Sequence, residues 1–439
     1  MQLKPTSIQL SVAGSDARLC AVAALMHALD KQKPLDAFWP QDRYFQVMNP
    51  SDRGFAQLLV KTTLRRLGQI DAVLSHFMEK PSSAPRIQHA LRLGAAQLLF
   101  LGTPPHAAVH SSVELAKQLK LERLSGLVNA VLKKVAQEGA AIIAAQDAAV
   151  MNTPSWLYAS WLRAYGKETA HDIATAHLAE APIDITVKQH PESWVEQLGA
   201  ELLPGGSLRL REARSITQLA GFAEGEWWVQ DLAASLPARL LGDVRGKNII
   251  DICAAPGGKT AQLIAAGAKV TAVDQSKERM ATLKTNLHRL KFSAECVVAN
   301  ALKWKPSSPP DMVLLDAPCS ATGTARKHPD VLLHRKPEDI SRLTETQQAL
   351  LHHSLDMLKP GGALVYAVCS LQPEEGELQV ERLLQTRNDV APRPILPEQI
   401  GGLSQCLTAR GELRTLPCHL AEKGGMDGFF AAILTKAHG

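Results

Sequence analysis

Two stretches of this sequence set a thiol beside groups that move protons or turn the chain. In DMVLLDAPCSATGT, residues 311–324, an apolar run ends in Asp316 and a Pro-led turn carries Cys319. In ALVYAVCSLQPEE, residues 363–375, a second apolar run ends in Cys369 and again leads into a turn. Short unbroken apolar runs bounded by turn residues read as buried strands, so an acid and two thiols stand at strand ends. Thiols of this kind serve covalent addition, with the acid as the proton-handling partner. Either cysteine alone reads more simply as an inert buried thiol; the pairing beside Asp316 is what points to chemistry. Cys20, Cys253, Cys296, Cys406 and Cys418 carry no such pairing.

A Gly-rich loop lies upstream, Ala255-Pro256-Gly257-Gly258-Lys259-Thr260, after the apolar run NIIDIC (248–253). A phosphate-binding P-loop needs a glycine five residues before Gly258, and that position is Cys253. The dinucleotide pattern GxGxxG is absent too. What remains is a strand, a tight turn that lets backbone approach a ligand, and a helix start. Asp274 ends the next run, KVTAVD (269–274), where an acid accepts hydrogen bonds from ribose hydroxyls. A nucleoside ligand without a pyrophosphate fits this pattern, and S-adenosylmethionine is such a ligand.

The elements that must hold these residues follow from periodicity. From Trp228 onward, apolar runs alternate with helical stretches: NIIDIC, KVTAVD, AECVVAN (294–300), DMVLLD (311–316), ALVYAVC (363–369) and a closing FFAAILTK (429–436). Such alternation predicts a mostly parallel sheet with helices on both faces and ligands at the carboxyl ends of its strands. Residues 15–140 instead show three- and four-residue apolar spacing, broken at Pro34, Pro50, Pro81–Pro85 and Gly102–Pro105. This predicts an all-helical domain without strands. Between them the pattern is mixed: a helix after Thr153-Pro154, a short strand in IDITVK, a helix in WVEQLGAELL and a turn at Gly205-Gly206. The expected fold is therefore multidomain, with an all-α region at 1–145, a small α+β linker domain at 146–228 and an α/β domain at 229–439.

Composition narrows the class. A 439-residue chain exceeds one core, and 46% apolar with 21% charged residues is ordinary for globular domains. No apolar run is long enough to span a bilayer, and the N-terminus does not read as a signal peptide. Seven scattered cysteines argue for a reducing cytosol, and none has CxxC spacing, so no metal site is expected. The net charge is +5, but residues 1–140 hold 17 Lys and Arg against 10 Asp and Glu. A helical region with all the excess positive charge suits a polyanion-binding module, or a solvated helical surface.

Taken together, D-I-C-A-A-P-G-G-K-T, V-D at 273–274, D-A-P-C-S-A-T-G-T and Y-A-V-C-S-L-Q-P-E-E resemble the Sun/Fmu family of bacterial ribosomal RNA cytosine-5 methyltransferases. R-K-H-P-D-V (326–331) and D-G-F-F (427–430) resemble family features as well. The resemblance extends to the helical region, which is similar to the antitermination factor NusB, an RNA binder. It implies a Rossmann-like class I methyltransferase domain. Cys253, Ala254, Ala255, Pro256, Gly257, Gly258, Lys259, Asp274, position 300 and Asp316 would then line the S-adenosylmethionine site. Position 300 departs from the family, since Asn300 stands where an acid is usual; its amide still hydrogen-bonds.

The same resemblance implies methylation of C5 of a cytosine in 16S, small-subunit ribosomal RNA through a covalent cysteine–C6 adduct. C5 of cytosine is a poor nucleophile until a thiolate adds to C6 and makes the ring an enamine. The order of the two thiols is not decided by their spacing. By resemblance Cys369 attacks, Cys319 assists release and Asp316 hydrogen-bonds the N3 region. Two other readings stand beside this one. An exocyclic-amine methyltransferase would carry an aromatic where this chain has Cys319, and an antitermination-type RNA binder would not need both thiols. Arg326-Lys327-His328 reads as a phosphate contact or a solvated loop, and Glu374 and Glu375 as charges favoured in a helix's first turn. The expected partner is small-subunit ribosomal RNA, with no membrane, no metal and a monomeric state.

Overall fold

The computed structural model describes residues 15–211 and 215–438. The N-terminal stretch read as lacking a signal peptide lies outside the described residues up to Gly14. The chain divides into two compact units, one running to Ala159 and including His328–His334, the other holding Ser160–Lys327 and the chain from Arg335 on. Among the described residues no helix is long and apolar enough to cross a membrane.

The first unit is helical. Its main helices are Ser15–Leu25, Pro50–Arg65, Leu67–Phe77, Pro85–Leu99, Pro105–Gln118 and Ser125–Ala144. Three of the expected breaks are helix starts: Pro50, Pro85 and Pro105 each occupy the first helical turn, where the missing N–H costs nothing. Asn49 caps the second of these helices by accepting from the Asp52 N–H at 2.9 Å. The apolar stripes meet in a core that includes Leu59, Val60, Ile70, Leu91 and Leu132, all fully buried. Burying each such side chain stabilises the fold by about 1.5–3 kcal/mol. Gly94 lets two helices close, since a Cβ there would lie 2.4 Å from Leu132 Cδ1. The segment His328–His334 belongs to this unit, where the Asp330 carboxylate accepts from the Leu35 N–H at 3.0 Å.

The second unit contains two sheets. The smaller is antiparallel, in the order β2-β3-β1-β4, from β1 (Asp184–Val187), β2 (Ala200–Leu202), β3 (Leu208–Leu210) and β4 (Trp227–Val229). A bidentate pair of Arg209 on Asp184, at 2.7 and 2.8 Å, ties β3 to β1 across a buried register position. One expectation fails here. The helix read in WVEQLGAELL is confined to Val195–Leu198, because Gly199 takes the left-handed conformation (φ 57°) and Ala200–Leu202 pairs with β3 instead. Strand pairing overrides a segment whose residues favour helix.

The larger sheet contains β5 (Asn248–Ile252), β6 (Lys269–Asp274), β7 (Glu295–Val298), β8 (Met312–Asp316), β9 (Ala363–Val368), β10 (Val390–Arg393), β11 (Leu413–Thr415) and β12 (Phe429–Lys436). Its order is β10-β12-β9-β8-β5-β6-β7, with β11 also on β12. Strands β5 to β9 are parallel to one another, and β12 runs antiparallel to β9, β10 and β11. β9 is buried at every position, as its unbroken apolar sequence requires of a strand covered on both faces. From β5 the chain steps outward to β6 and β7, then returns to β8 on β5's other side. That reversal opens a crevice beyond the carboxyl ends of β5 and β8, where parallel sheets hold ligands.

Candidate active site

Adjacent parallel strands bring the two thiols together. β8 and β9 pair with Asp316 opposite Ala367, so Cys319 and Cys369 leave the same edge of the sheet. Their sulfurs lie 3.4 Å apart. The turns are laced to each other: the Gly323 N–H donates to the Cys369 carbonyl at 3.1 Å, and the Leu371 N–H donates to Thr322 Oγ1 at 3.0 Å. Gly323 cannot carry a side chain here, because a Cβ would lie 2.0 Å from the Gly428 carbonyl oxygen. The D-G-F-F segment thus backs the Cys319 turn through a Gly428 N–H to Gly323 carbonyl bond of 2.8 Å.

Lys259 stands next to this pair. Its Nζ lies 2.6 Å from Asp316 Oδ2, with the lysine side chain 10% exposed and the aspartate 31%. Burial pulls the Lys259 amine down, but the charges of Asp316 and Cys369 outweigh it and hold the amine above its ordinary value. The Cys319 thiol is pushed well above the usual range by its bond to Cys369, by burial and by the charges of Cys369 and Glu375. It therefore keeps its proton at neutral pH. Beneath them Asp251, fully buried on β5, accepts from Thr260 Oγ1 at 2.5 Å and is raised to about 7 by burial.

A cavity of about 640 Å³ opens at the strand ends. It is lined by Cys253, Asp274, Asn300, Asp316, Cys319 and Cys369 from the expected set, together with Gln275, Arg279, Leu302, Pro318, Thr346 and others. Ala254 to Lys259 do not line it. They shape its floor instead: Cys253 takes a left-handed φ of 61° that bends the chain off β5, and Gly257 (φ 101°) packs on Leu283. Asp274 is buried and fixed by the Ala255 N–H at 3.2 Å and the Ser276 N–H at 2.9 Å. Asn300 accepts from the Leu302 N–H at 3.0 Å. The volume suits a nucleoside-sized ligand, and the buried Asp274 carboxylate with Asn300 and Gln275 supplies polar partners along the wall.

Several residues sit elsewhere than expected. Arg326 is no phosphate contact: it is 2% exposed, near Asp231 and Asp427 at 3.7 and 3.5 Å. Lys327 bonds the same two acids, at 2.8 Å to Asp427. A buried charge so enclosed is structural. Glu375 is fully buried rather than displayed in a solvated first turn. Gln275 and Arg279 were missed, although both follow Asp274 within five residues. Among the described residues no three His, Cys, Asp or Glu side chains converge as a metal site would require.

Comparison with known proteins agrees with this architecture. Residues 238–435 match the family model "16S rRNA methyltransferase RsmB/F", and residues 15–137 match that of the NusB family. The ribosomal RNA small subunit methyltransferase B of Vibrio cholerae is 36% identical, over 96% of this chain and 98% of the relative. The crystal structure of PH0851 shares the fold with a TM-score of 0.73 at 22% identity, covering 98% of this chain and all of that one. A methyltransferase homolog protein from Pyrococcus horikoshii gives a TM-score of 0.51 at 28% identity, over 64% of this chain and 99% of its own. The strand-end thiols, the Gly-rich floor and identity across nearly the whole length thus converge: this chain belongs to the RsmB/F family of 16S rRNA methyltransferases, with a NusB-family region at its N-terminus.

Proposed function

We propose that this protein transfers a methyl group from S-adenosylmethionine to C5 of a cytosine in small-subunit ribosomal RNA, with Cys369 as the attacking thiol. The observation that carries this reading is the 3.4 Å thiol pair on adjacent strand ends, beside the Lys259–Asp316 ion pair. The cofactor would be held by Asp274 on its ribose and by Asn300 and the wall around Leu302 on its base. When bound it supplies an electrophilic methyl group at the carboxyl ends of the strands.

The protein's own groups divide the remaining work. Cys319 stays a thiol in contact with the Cys369 sulfur, and the Lys259 ammonium lies beside them on Asp316. The Cys369 thiolate adds to C6, and the electron pair of the C5–C6 double bond moves into the ring, making C5 nucleophilic. Asp316, fixed by Lys259, accepts from the exocyclic amine beside N3, and the Lys259 ammonium offsets the negative charge that accumulates on that edge. After transfer the C5 proton passes to a water molecule, its bonding pair restores the C5–C6 double bond, and the Cys369 sulfur departs with the electron pair of the C6–S bond. Cys319, in contact with that sulfur, is the group placed to assist release. The electrostatics supply an asymmetry that spacing lacks: of the two sulfurs, Cys369 has the cation and Cys319 the anion nearby.

We read residues 1–145 as the RNA-holding module, 146–228 as a linker domain and 229–439 as the catalytic domain. Seven cysteines without a disulfide suit the cytoplasm. We read the 47.5 kDa chain as a monomer, which light scattering on the eluted protein tests. The test of the activity is transfer of labelled methyl to small-subunit ribosomal RNA followed by identification of the modified base. 5-Methylcytosine is the expected product; label on an exocyclic amine, or on no RNA, would overturn the reading.

A further inference from the structure

We propose that Glu375 is a positioning residue for the thiol pair, its buried carboxylate stapling the turn after Cys319 to the turn after Cys369 and so fixing the separation of the two sulfurs. The inference rests on the reading above that both thiols work together.

The geometry is specific to the two turns. Ser320 and Ser370 are the residues immediately after the two cysteines. Glu375 Oε1 accepts from the Ser320 N–H at 2.8 Å, and Oε2 accepts from both serine hydroxyls, that of Ser370 at 2.5 Å. The hydroxyls also lie 2.9 Å from each other. A fourth donor, Gln347 Nε2, reaches Oε1 at 3.0 Å and the Pro318 carbonyl at 2.9 Å, so it spans the staple and the Pro-Cys turn. None of the four donors is a cation, and the residue has no exposed surface. A carboxylate buried this way is held by converging hydrogen bonds rather than by an ion pair. None of these donors belongs to the Pro373–Glu375 turn itself, so the side chain is not a helix cap.

The carbonyls on the far side of each serine are held too. Arg335 Nε donates to the Ser320 carbonyl at 2.8 Å, and Arg414 Nη1 to that of Ser370 at 2.5 Å. The residue after each thiol is therefore gripped on both its side chain and its carbonyl, and Glu375 grips both residues at once at shorter range than Thr322 Oγ1, which lies 3.4 and 3.5 Å from the two hydroxyls. A side chain that merely filled space would not need a shared oxygen on two hydroxyls. Its charge has a second consequence, since it adds to the neighbours that keep Cys319 in the thiol form.

The test compares wild type with Glu375→Gln in the full-length protein, which keeps the shape and removes the charge and one acceptor. Alkylation of each thiol by iodoacetamide is followed across pH by peptide mass, and formation of the Cys319–Cys369 disulfide with diamide reports their approach. In Glu375→Gln the Cys319 alkylation limb moves to lower pH by about one unit. Disulfide formation slows by about tenfold, because the sulfurs lose their fixed approach. Affinity for S-adenosylmethionine stays within about twofold, as no Glu375 contact reaches the cofactor wall. An unchanged limb with an unchanged disulfide rate in the folded variant overturns the proposal. Should Glu375→Gln fail to fold, Ser370→Ala cuts one leg of the staple: a slowed disulfide supports the proposal and an unchanged rate overturns it. These readouts need no RNA, so they decide the role of Glu375 even if no covalent RNA adduct ever forms, an outcome that would defeat the functional reading instead.

Discussion

Lys259→Met isolates the electrostatic part of the mechanism. The substitution keeps an unbranched side chain one atom shorter and removes the ammonium that sits 2.6 Å from Asp316 Oδ2. A hydrogen bond to a charged group is worth about 1.5–3 kcal/mol, which is a factor of about 10 to 150 if it is expressed wholly in a rate. Asp316 is nearly one-third exposed, so water takes up part of the loss and the lower end of that range applies. Single-turnover methyl transfer at saturating cofactor and RNA should therefore fall by about tenfold at neutral pH. Affinity for S-adenosylmethionine should move by less than about threefold, since Lys259 is not itself among the residues that line the cavity. Lys259→Arg, which keeps the charge, should recover part of the rate. The reasoning is refuted if the variant binds cofactor much more weakly yet turns over normally at saturation. That result would return Lys259 to the cofactor loop, the role its sequence position alone suggests.

Further expectations follow from the packing and the charges. Gly323→Ala forces a Cβ to within 2.0 Å of the Gly428 carbonyl; overpacking against backbone should cost about 1–3 kcal/mol in chemical denaturation and slow methyl transfer more than it weakens cofactor binding. Asp251 has its pKa raised on folding, from 3.8 to about 7. The stability it confers is thus fully present below pH 3.8 and lost as pH rises through 7. The melting temperature of Asp251→Asn relative to wild type should accordingly climb between pH 4 and pH 8, and a flat difference would show that the carboxyl is not protonated in the fold. Lys133 and Lys134 are exposed on the helix Ser125–Ala144. If both meet phosphates, changing them to Gln should lower the slope of log affinity against log salt by about 1.5, with no effect on cofactor binding.

What could be read from residues alone followed the physics of burial. β8 and β9 are covered on both faces, so their sequences are unbroken apolar runs, and the thiols at their ends stood out for that reason. The helical region was legible from its spacing and its prolines, which start helices rather than interrupt them. Ala200–Leu202 was not legible, because a three-residue strand holds only by pairing with β3, information that no local pattern carries. Arg326 and Lys327 look like surface charges, and their partners Asp231 and Asp427 lie far off in sequence, 96 and 100 residues from Lys327. Lys259 was read as part of a ligand loop because its neighbours are glycines; its amine turns instead to Asp316. Glu375 was hidden for the same reason. A Pro-Glu-Glu turn is a favourable helix start on any surface, and only the fold reveals that one of its carboxylates is enclosed between Ser320 and Ser370. The choice between the thiols was likewise invisible in their spacing and rests on the proposal above.

The most direct measurement of the account is covalent trapping. Cys319→Ala, incubated with S-adenosylmethionine and small-subunit ribosomal RNA, should accumulate a protein–RNA adduct that survives denaturation, while Cys369→Ala should form none. An adduct in Cys369→Ala and none in Cys319→Ala would contradict the assignment of the attacking thiol.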